Sequence, residues 1–286
     1  MSVQKSASLD QPIEVSVPNT IASSPILPEL SESVTNLQMA YLFHKKSLLT
    51  RDLFGSKLVV PSLFAVLSAM IYHRFGAYLS SYNFRNGVGA GLLNIYHSPF
   101  FIQDAFWVVL TMFFFTSLVF LALWILSNFL KYQAEEVPEH MDQYFGLDLQ
   151  EYAKVSLKTK LRKLPADVKE QVDQMAATSF VVTYRETPIA FIVQQKDADK
   201  NYKITGLAVR KVYIKSEILV DLLEWAKSRV EKDARTSIDV YSFESFDIQL
   251  LQKCGFVLAK KSPLNSFFLD KLFGYSVNTY VYTPSA

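Results

Sequence analysis

Cysteine is nearly absent from this 286-residue chain: Cys254 stands alone. That excludes an intrachain disulfide and any metal site built on paired thiolates, and the expected state of Cys254 is a small buried hydrophobe in a reducing compartment. No Asn-x-Ser/Thr acceptor occurs. An excess of one charge is lacking too, with 29 Lys and Arg against 27 Asp and Glu, so nothing global points to a nucleic-acid partner. The four histidines, His44, His73, His97 and His140, have no metal-ligand spacing. There is no nucleophile elbow, nucleotide loop or carboxylate pair with an evident base. The start, MSVQKSASLDQPIEVSVPNTIASSPILPELSES, lacks the basic segment and apolar core of a secretory signal. Its Ser, Pro and acidic residues recur without periodicity, which predicts a disordered tail over 1–33.

Charge is missing altogether from Ala105 to Leu130, 26 residues bracketed by Asp104 and Lys131. That run is long enough to cross a bilayer with some tilt. Trp107 and Trp124 stand 17 residues apart, or roughly 25 Å along a helix, which suits an aromatic anchor at each interface. A first span is expected over about 54–79, with Pro61 in its first turn and Arg74 reaching for the headgroups at its far end. Together they predict a hairpin over 53–130, preceded by an amphipathic juxtamembrane helix at 34–52 carrying Val34, Leu37, Tyr41, Leu42 and Leu48. The connection at 81–103 reads as a luminal or re-entrant loop. Lys45, Lys46, Arg51 and Lys57 precede the first span, so the positive-inside rule puts both termini in the cytosol. A basic run, Lys154, Lys158, Lys160, Arg162 and Lys163, is either a solvated helix face or a contact to an anionic leaflet.

Residues 131–149 read as a polar linker. Beyond it, β-branched and aromatic runs at 179–185, 189–195 and 202–209 predict strands. Apolar residues at helical spacing in SEILVDLLEWAKSRVEKD predict a helix that Ser216 could cap. A strand at 236–243, a short helix ending at Gly255 and two closing strands complete a β-β-β-α-β-α-β-β order. The fold class is therefore α/β: a two-helix transmembrane hairpin followed by a mixed-sheet domain over 150–286. This order, with ITGLAVRKVYIKSEILVDLLEWAKSRVEK followed by LLQKCGF, resembles the GNAT acetyltransferase superfamily over about 150–286 and most closely over 203–256.

The resemblance implies a Q/R-x-x-G-x-G/A loop holding the pyrophosphate of acetyl-CoA at a helix N-terminus. The matching positions are Ile214, Lys215, Ser216, Glu217, Ile218 and Leu219. RKVYIKSEIL, 210–219, contains no glycine, Glu217 sets a carboxylate where phosphate should sit, and Leu219 adds bulk. The family's Asn, Ala and general-acid Tyr positions fall on Glu244, Asp247 and Leu251, and leucine cannot donate a proton. Tyr213 and Tyr241 are near in sequence but off the matching position. The expectation is a fold without its chemistry: no catalytic residue, no cofactor and no metal.

The connection SPLNSFFLDKLFGYS (262–276) carries more apolar bulk than a short surface loop needs. Phe267, Phe268, Leu272 and Phe273 either pack over the sheet or form an exposed lip that meets membrane or a partner. The start of the chain, the hairpin position and the C-terminal domain together resemble the fungal endoplasmic-reticulum phosphate-transporter packaging family. That resemblance implies a noncatalytic chaperone in the endoplasmic-reticulum membrane. Its client would be a polytopic transporter, a phosphate transporter, whose folding and export it assists, and coat-adaptor proteins are candidate partners. Phe113, Phe114 and Phe115 offer packing surface to such a client or to the lipid bilayer. The alternative is an active membrane-bound, acetyl-CoA-dependent N-acetyltransferase.

Overall fold

A computed structural model describes residues 21–81, 89, 93, 95–158, 166–197, 201–231 and 233–284. In chain order the elements are β1 (Ile21–Ser24), α1 (Ser31–Phe54), α2 (Val59–Ser81), α3 (Phe101–Ser127), α4 (Phe129–Glu136), α5 (Met141–Phe145), α6 (Leu149–Lys158), α7 (Ala166–Thr178), β2 (Ser179–Tyr184), β3 (Thr187–Lys196), β4 (Tyr202–Val209), α8 (Ile218–Ser228), β5 (Thr236–Tyr241), α9 (Ser245–Lys253), β6 (Val257–Pro263) and β7 (Ser276–Tyr282). The seven strands form one sheet in the order β1-β2-β3-β4-β5-β7-β6. Every pairing is antiparallel except β4 with β5.

The strands and helices expected beyond residue 179 are present. Alternate residues of β2 and β3 point to opposite faces. Val181, Phe191 and Val193 join one core with α1, α5 and α6. Val182, Ala190 and Ile192 join a second with α8 and α9. Helix α8 does not use Ser216 as its cap: Glu217 holds the N-cap position, with no side-chain capping bond.

Three expectations fail upstream. Residues 21–33, read as part of a disordered tail, add β1 to the sheet edge and begin α1. Ile26 is fully buried, its N–H bonding Ser179 Oγ at 3.0 Å and its carbonyl accepting from Tyr152 OH at 3.1 Å. The segment is held by backbone pairing, which has no compositional signature; residues 1–20 lie outside the described residues. The 131–149 stretch is no linker: Ala134, Val137, Met141 and Phe145 are core residues of α4, α5 and the turn between them. Nor is α1 interfacial. Its apolar stripe, Val34, Leu37, Tyr41 and Leu42, lies on the sheet. The folded body therefore takes in β1, α1 and α4–α6 as well as 166–284, and 150–286 is not a closed unit.

Between α1 and α4, helices α2 and α3 project as a hairpin. Both are long and apolar enough to cross a membrane. Trp107 and Trp124 are both exposed on α3, and Lys46 Nζ sits 5.2 Å from the Trp124 ring centroid. Arg74 does not reach away: its Nη2 lies 2.8 Å from Asp104 Oδ1, and Tyr78 OH donates to Asp104 Oδ2 at 2.6 Å. Residues 82–88, 90–92 and 94 of the 81–103 connection lie outside the described residues, as do Lys160, Arg162 and Lys163.

Candidate functional site

Strands β4 and β5 pair only from Tyr202–Ile204 to Thr236–Ile238. Past that point β4 stays with β3 and β5 stays with β7, so the sheet splits into a wedge. Gly206 lies at the opening: a Cβ there would meet the Tyr144 carbonyl at 3.0 Å, and the neighbouring Thr205 Oγ1 donates to that same oxygen at 2.8 Å. Glycine thus lets α5 lie against the strand just where the split begins. The wedge encloses a cavity of about 280 Å³.

Helix α1 plugs this wedge. Tyr41 OH donates to Asp247 Oδ2 at 2.9 Å, and Lys45 Nζ lies 3.1 Å from Glu244 Oε1. Lys45 is 4.9 Å from the Tyr41 ring centroid and 5.8 Å from that of Tyr241. The Tyr241 hydroxyl is itself spent on Gln133 Oε1 of α4, at 3.0 Å. Glu244 is buried and neither of its oxygens has a well-directed hydrogen bond among the described residues, so it is held by the ion pair alone. Burial pushes its carboxyl up to about 7, against the pull of Lys45. The Lys45 ammonium is held above its ordinary value, because Glu244 and Asp247 outweigh the burial that opposes it. Burial raises Tyr41 and Tyr241 as well, and Asp247 pushes Tyr41 further.

The turn corresponding to a phosphate loop is committed to its own structure. The Tyr213 and Ser216 amides bond the carbonyls of Arg210 and Tyr213 at 2.8 and 3.0 Å. Leu219 is buried in the core, Ile214 is half-buried, and Lys215 and Glu217 face outward. The Ser216 amide, one of the N–H donors a pyrophosphate cradle at 214–219 would use, is therefore taken, and the bulk at Leu219 closes the approach. Glu244 and Asp247, visible in the sequence only as departures from a motif, prove to be the ends of the bonds that seat α1. Lys45, counted there as one cytosolic charge among four, is their partner. The signal that would have found it is helical: Tyr41 and Lys45 are four residues apart on the face that also carries Gln38 and Leu42.

A second feature lies at the hairpin. Helices α2 and α3 diverge toward the body and leave a lateral groove of about 830 Å³, almost wholly apolar, whose lining includes Leu63, Val66, Phe115, Val119, Phe268 and Leu272. The 262–276 connection supplies one of its walls through Ser266, Phe268, Leu272 and Phe273. Leu264, Leu269 and Tyr275 pack with Leu49, Leu53 and Leu130, and Tyr275 OH donates to Asp52 Oδ2 at 2.7 Å. Phe267, Phe268 and Leu272 remain exposed on the outer side, and Phe273 is half-buried. Of the three α3 phenylalanines, Phe113 and Phe114 point outward while Phe115 turns into the groove.

Among solved structures, acetyltransferases share part of this arrangement. A protein of Bacillus anthracis described as a streptothricin acetyltransferase is 18% identical over 37% of this chain and 62% of its own, with a TM-score of 0.31. The ribosomal-protein-S18-alanine N-acetyltransferase of Escherichia coli is 16% identical over 49% and 90%, TM-score 0.31. A GNAT-family acetyltransferase of Bacillus cereus is 8% identical over 53% and 91%, TM-score 0.34. The chain thus spans less than two thirds of the first of these, and likeness at this level carries no activity across. Comparison with curated proteins finds no match. The family comparison reaches nearly end to end: residues 3–283 match the inorganic phosphate transporter chaperone Pho86, and the chain belongs to that family.

Proposed function

We propose that the protein is a noncatalytic chaperone of the endoplasmic-reticulum membrane that holds a polytopic phosphate transporter through its hairpin until the client is folded and packaged for export. The lateral groove carries this reading. In lipid, helices associate by close packing of apolar surface. An open groove between two spanning helices, extended at the membrane surface by Phe268 and Leu272, offers such packing to a client helix. Phe113, Phe114 and Phe267 would enlarge the contact, and Phe273 would brace it. The division of labour is a membrane module, 59–127, on a body formed by both ends of the chain. With α1 and α4 both joined to that body, the two flanks of the hairpin would share one side of the bilayer, and the basic residues before α2 favour the cytosol. There the body would meet client loops or coat-adaptor proteins.

A wedge plugged by Tyr41 and Lys45, and a glycine-free turn whose Ser216 amide is already bonded, count against the acetyltransferase alternative. The test is photocrosslinking in microsomes, with benzoylphenylalanine placed at Phe115 or Phe268 and, as a control, at the exposed Val212. Crosslinks to a newly made phosphate transporter from the first two positions and not the third are expected. Equal labelling from all three, or normal transporter export without the protein, would sink the proposal.

A further inference from the structure

A second concavity lies on the body near the point where the chain enters the membrane. It is about 450 Å³, walled by α1, the 211–215 turn and the start of α9. Arg51, Lys211 and Lys215 line it, with His44 between them. None of these three cations is in an ion pair among the described residues. The acids on the same wall are already engaged, Glu244 by Lys45 at 3.1 Å and Asp247 by Tyr41 OH at 2.9 Å. With Lys45, Arg51, Lys211 and Lys215 set against Glu244 and Asp247, the lining keeps an excess of two positive charges. His44 reports the same field, since burial first and Lys211 next hold its imidazole below the ordinary value, Arg51 and Lys45 adding to Lys211 while Asp247 opposes.

The rim is apolar rather than hydrated. Val212 is 86% exposed and Phe246 44% exposed, two apolar side chains at the mouth of a cation-lined concavity. The level is also defined. Arg51 stands in the last turn of α1, and α2 begins at Val59. Lys46, on the same helix between His44 and Arg51, sits over Trp124, whose ring suits the interface. Cations from two elements, an arginine fork able to take two phosphate oxygens, and exposed apolar neighbours at headgroup depth describe a ligand with a phosphate at one end and hydrocarbon at the other.

We propose that this pocket binds the phosphate of an anionic membrane lipid. The proposal does not depend on the chaperone reading, only on α2 and α3 crossing the bilayer. Free phosphate shares the headgroup chemistry but has no use for Val212 and Phe246.

The experiment is native mass spectrometry of the full chain in detergent, titrated with phosphatidate and, as neutral control, phosphatidylcholine. Selective retention of phosphatidate is expected. The triple variant R51A/K211A/K215A should lose it roughly a hundredfold, at about fivefold for each cation near an anionic surface. R51K/K211R/K215R should restore most of it. K169A/K260A/K261A, which removes exposed charge elsewhere, should change it little. If the triple alanine variant melts, K211A alone, in an exposed turn, should still weaken binding roughly fivefold. Equal loss in the two triple alanine variants, or no preference over phosphatidylcholine, would overturn the proposal. So would displacement by inorganic phosphate, which makes the free anion the ligand, or by coenzyme A, which returns the pocket to the acyltransferase reading.

Discussion

Helices α1 and α2 are separated by only four residues, yet they live in opposite ways. Along α1, Val34, Leu37, Tyr41, Leu42, Leu49 and Leu53 are all buried within the protein. Along the paired helices α2 and α3, only Val59, Val108 and Leu123 among the described apolar side chains are. Composition separates them, since α1 carries Glu32, Lys45, Lys46, Arg51 and Asp52 where α2 carries Arg74 alone among Asp, Glu, Lys and Arg, and so does the spacing of that charge. In α1 a charged or polar residue returns every turn and leaves one stripe to fold against the sheet. The hairpin is apolar all round, and most of its surface finds no partner in its own chain. The body is thus stabilised by itself, and the hairpin by whatever surrounds it.

That contrast can be tested by truncation. Leu49→Ala, in the cluster with Leu53, Leu130 and Leu269, should cost about 2–5 kcal/mol in unfolding of the detergent-solubilised chain. Leu118→Ala on the exposed face of α3 should cost under about 1 kcal/mol. Equal losses would mean that the hairpin packs against the body more than its exposure implies.

The next largest effect concerns pH. The Glu244 carboxyl titrates at about 7 in the folded protein, against an ordinary 4.5, so the folded chain keeps a proton that the unfolded chain has released. Its contribution is fully present below the unfolded value and is lost as the pH rises through 7. Relative to Glu244→Gln, which cannot titrate, the wild type should lose about 2–3 kcal/mol of stability between pH 5 and 8. His44 titrates in both proteins and cancels. Parallel pH profiles would show that the acid under α1 is ionised throughout. The smallest effect belongs to Phe113→Ala with Phe114→Ala, under about 0.5 kcal/mol in detergent, because neither ring is covered by the protein.

Much of this was legible beforehand. The strands from Ser179 onward announced themselves by β-branched alternation between turns, and both spans by the length of their uncharged runs. What was missed shares one cause: contacts made across the hairpin. Ile21–Ser24 has no strand pattern of its own and is ordered by pairing with β2. Ala134, Val137, Met141, Phe145, Leu149 and Tyr152 do recur every three to four residues, but acids at Glu135, Glu136, Glu139 and Asp142 hid that stripe behind an apparent linker. The seating of α1 required Lys45 to be matched with Glu244, some two hundred residues away, and a single sequence does not reveal such a pair.

The order of the elements also has a consequence in time. Everything in β1 and α1 is made before the hairpin, and every surface that covers it is made afterwards. At about 5–20 residues per second, Val34 and Tyr41 wait roughly ten to thirty seconds for β3 and β4 to leave the ribosome. With α2 and α3 crossing the bilayer as proposed, the nascent chain must meanwhile enter it and come back. A copy whose hairpin crossed once, or not to full depth, would strand its first helix on the wrong side of the membrane and could never close the sheet. Completion of the body is therefore a built-in check on the protein's own insertion.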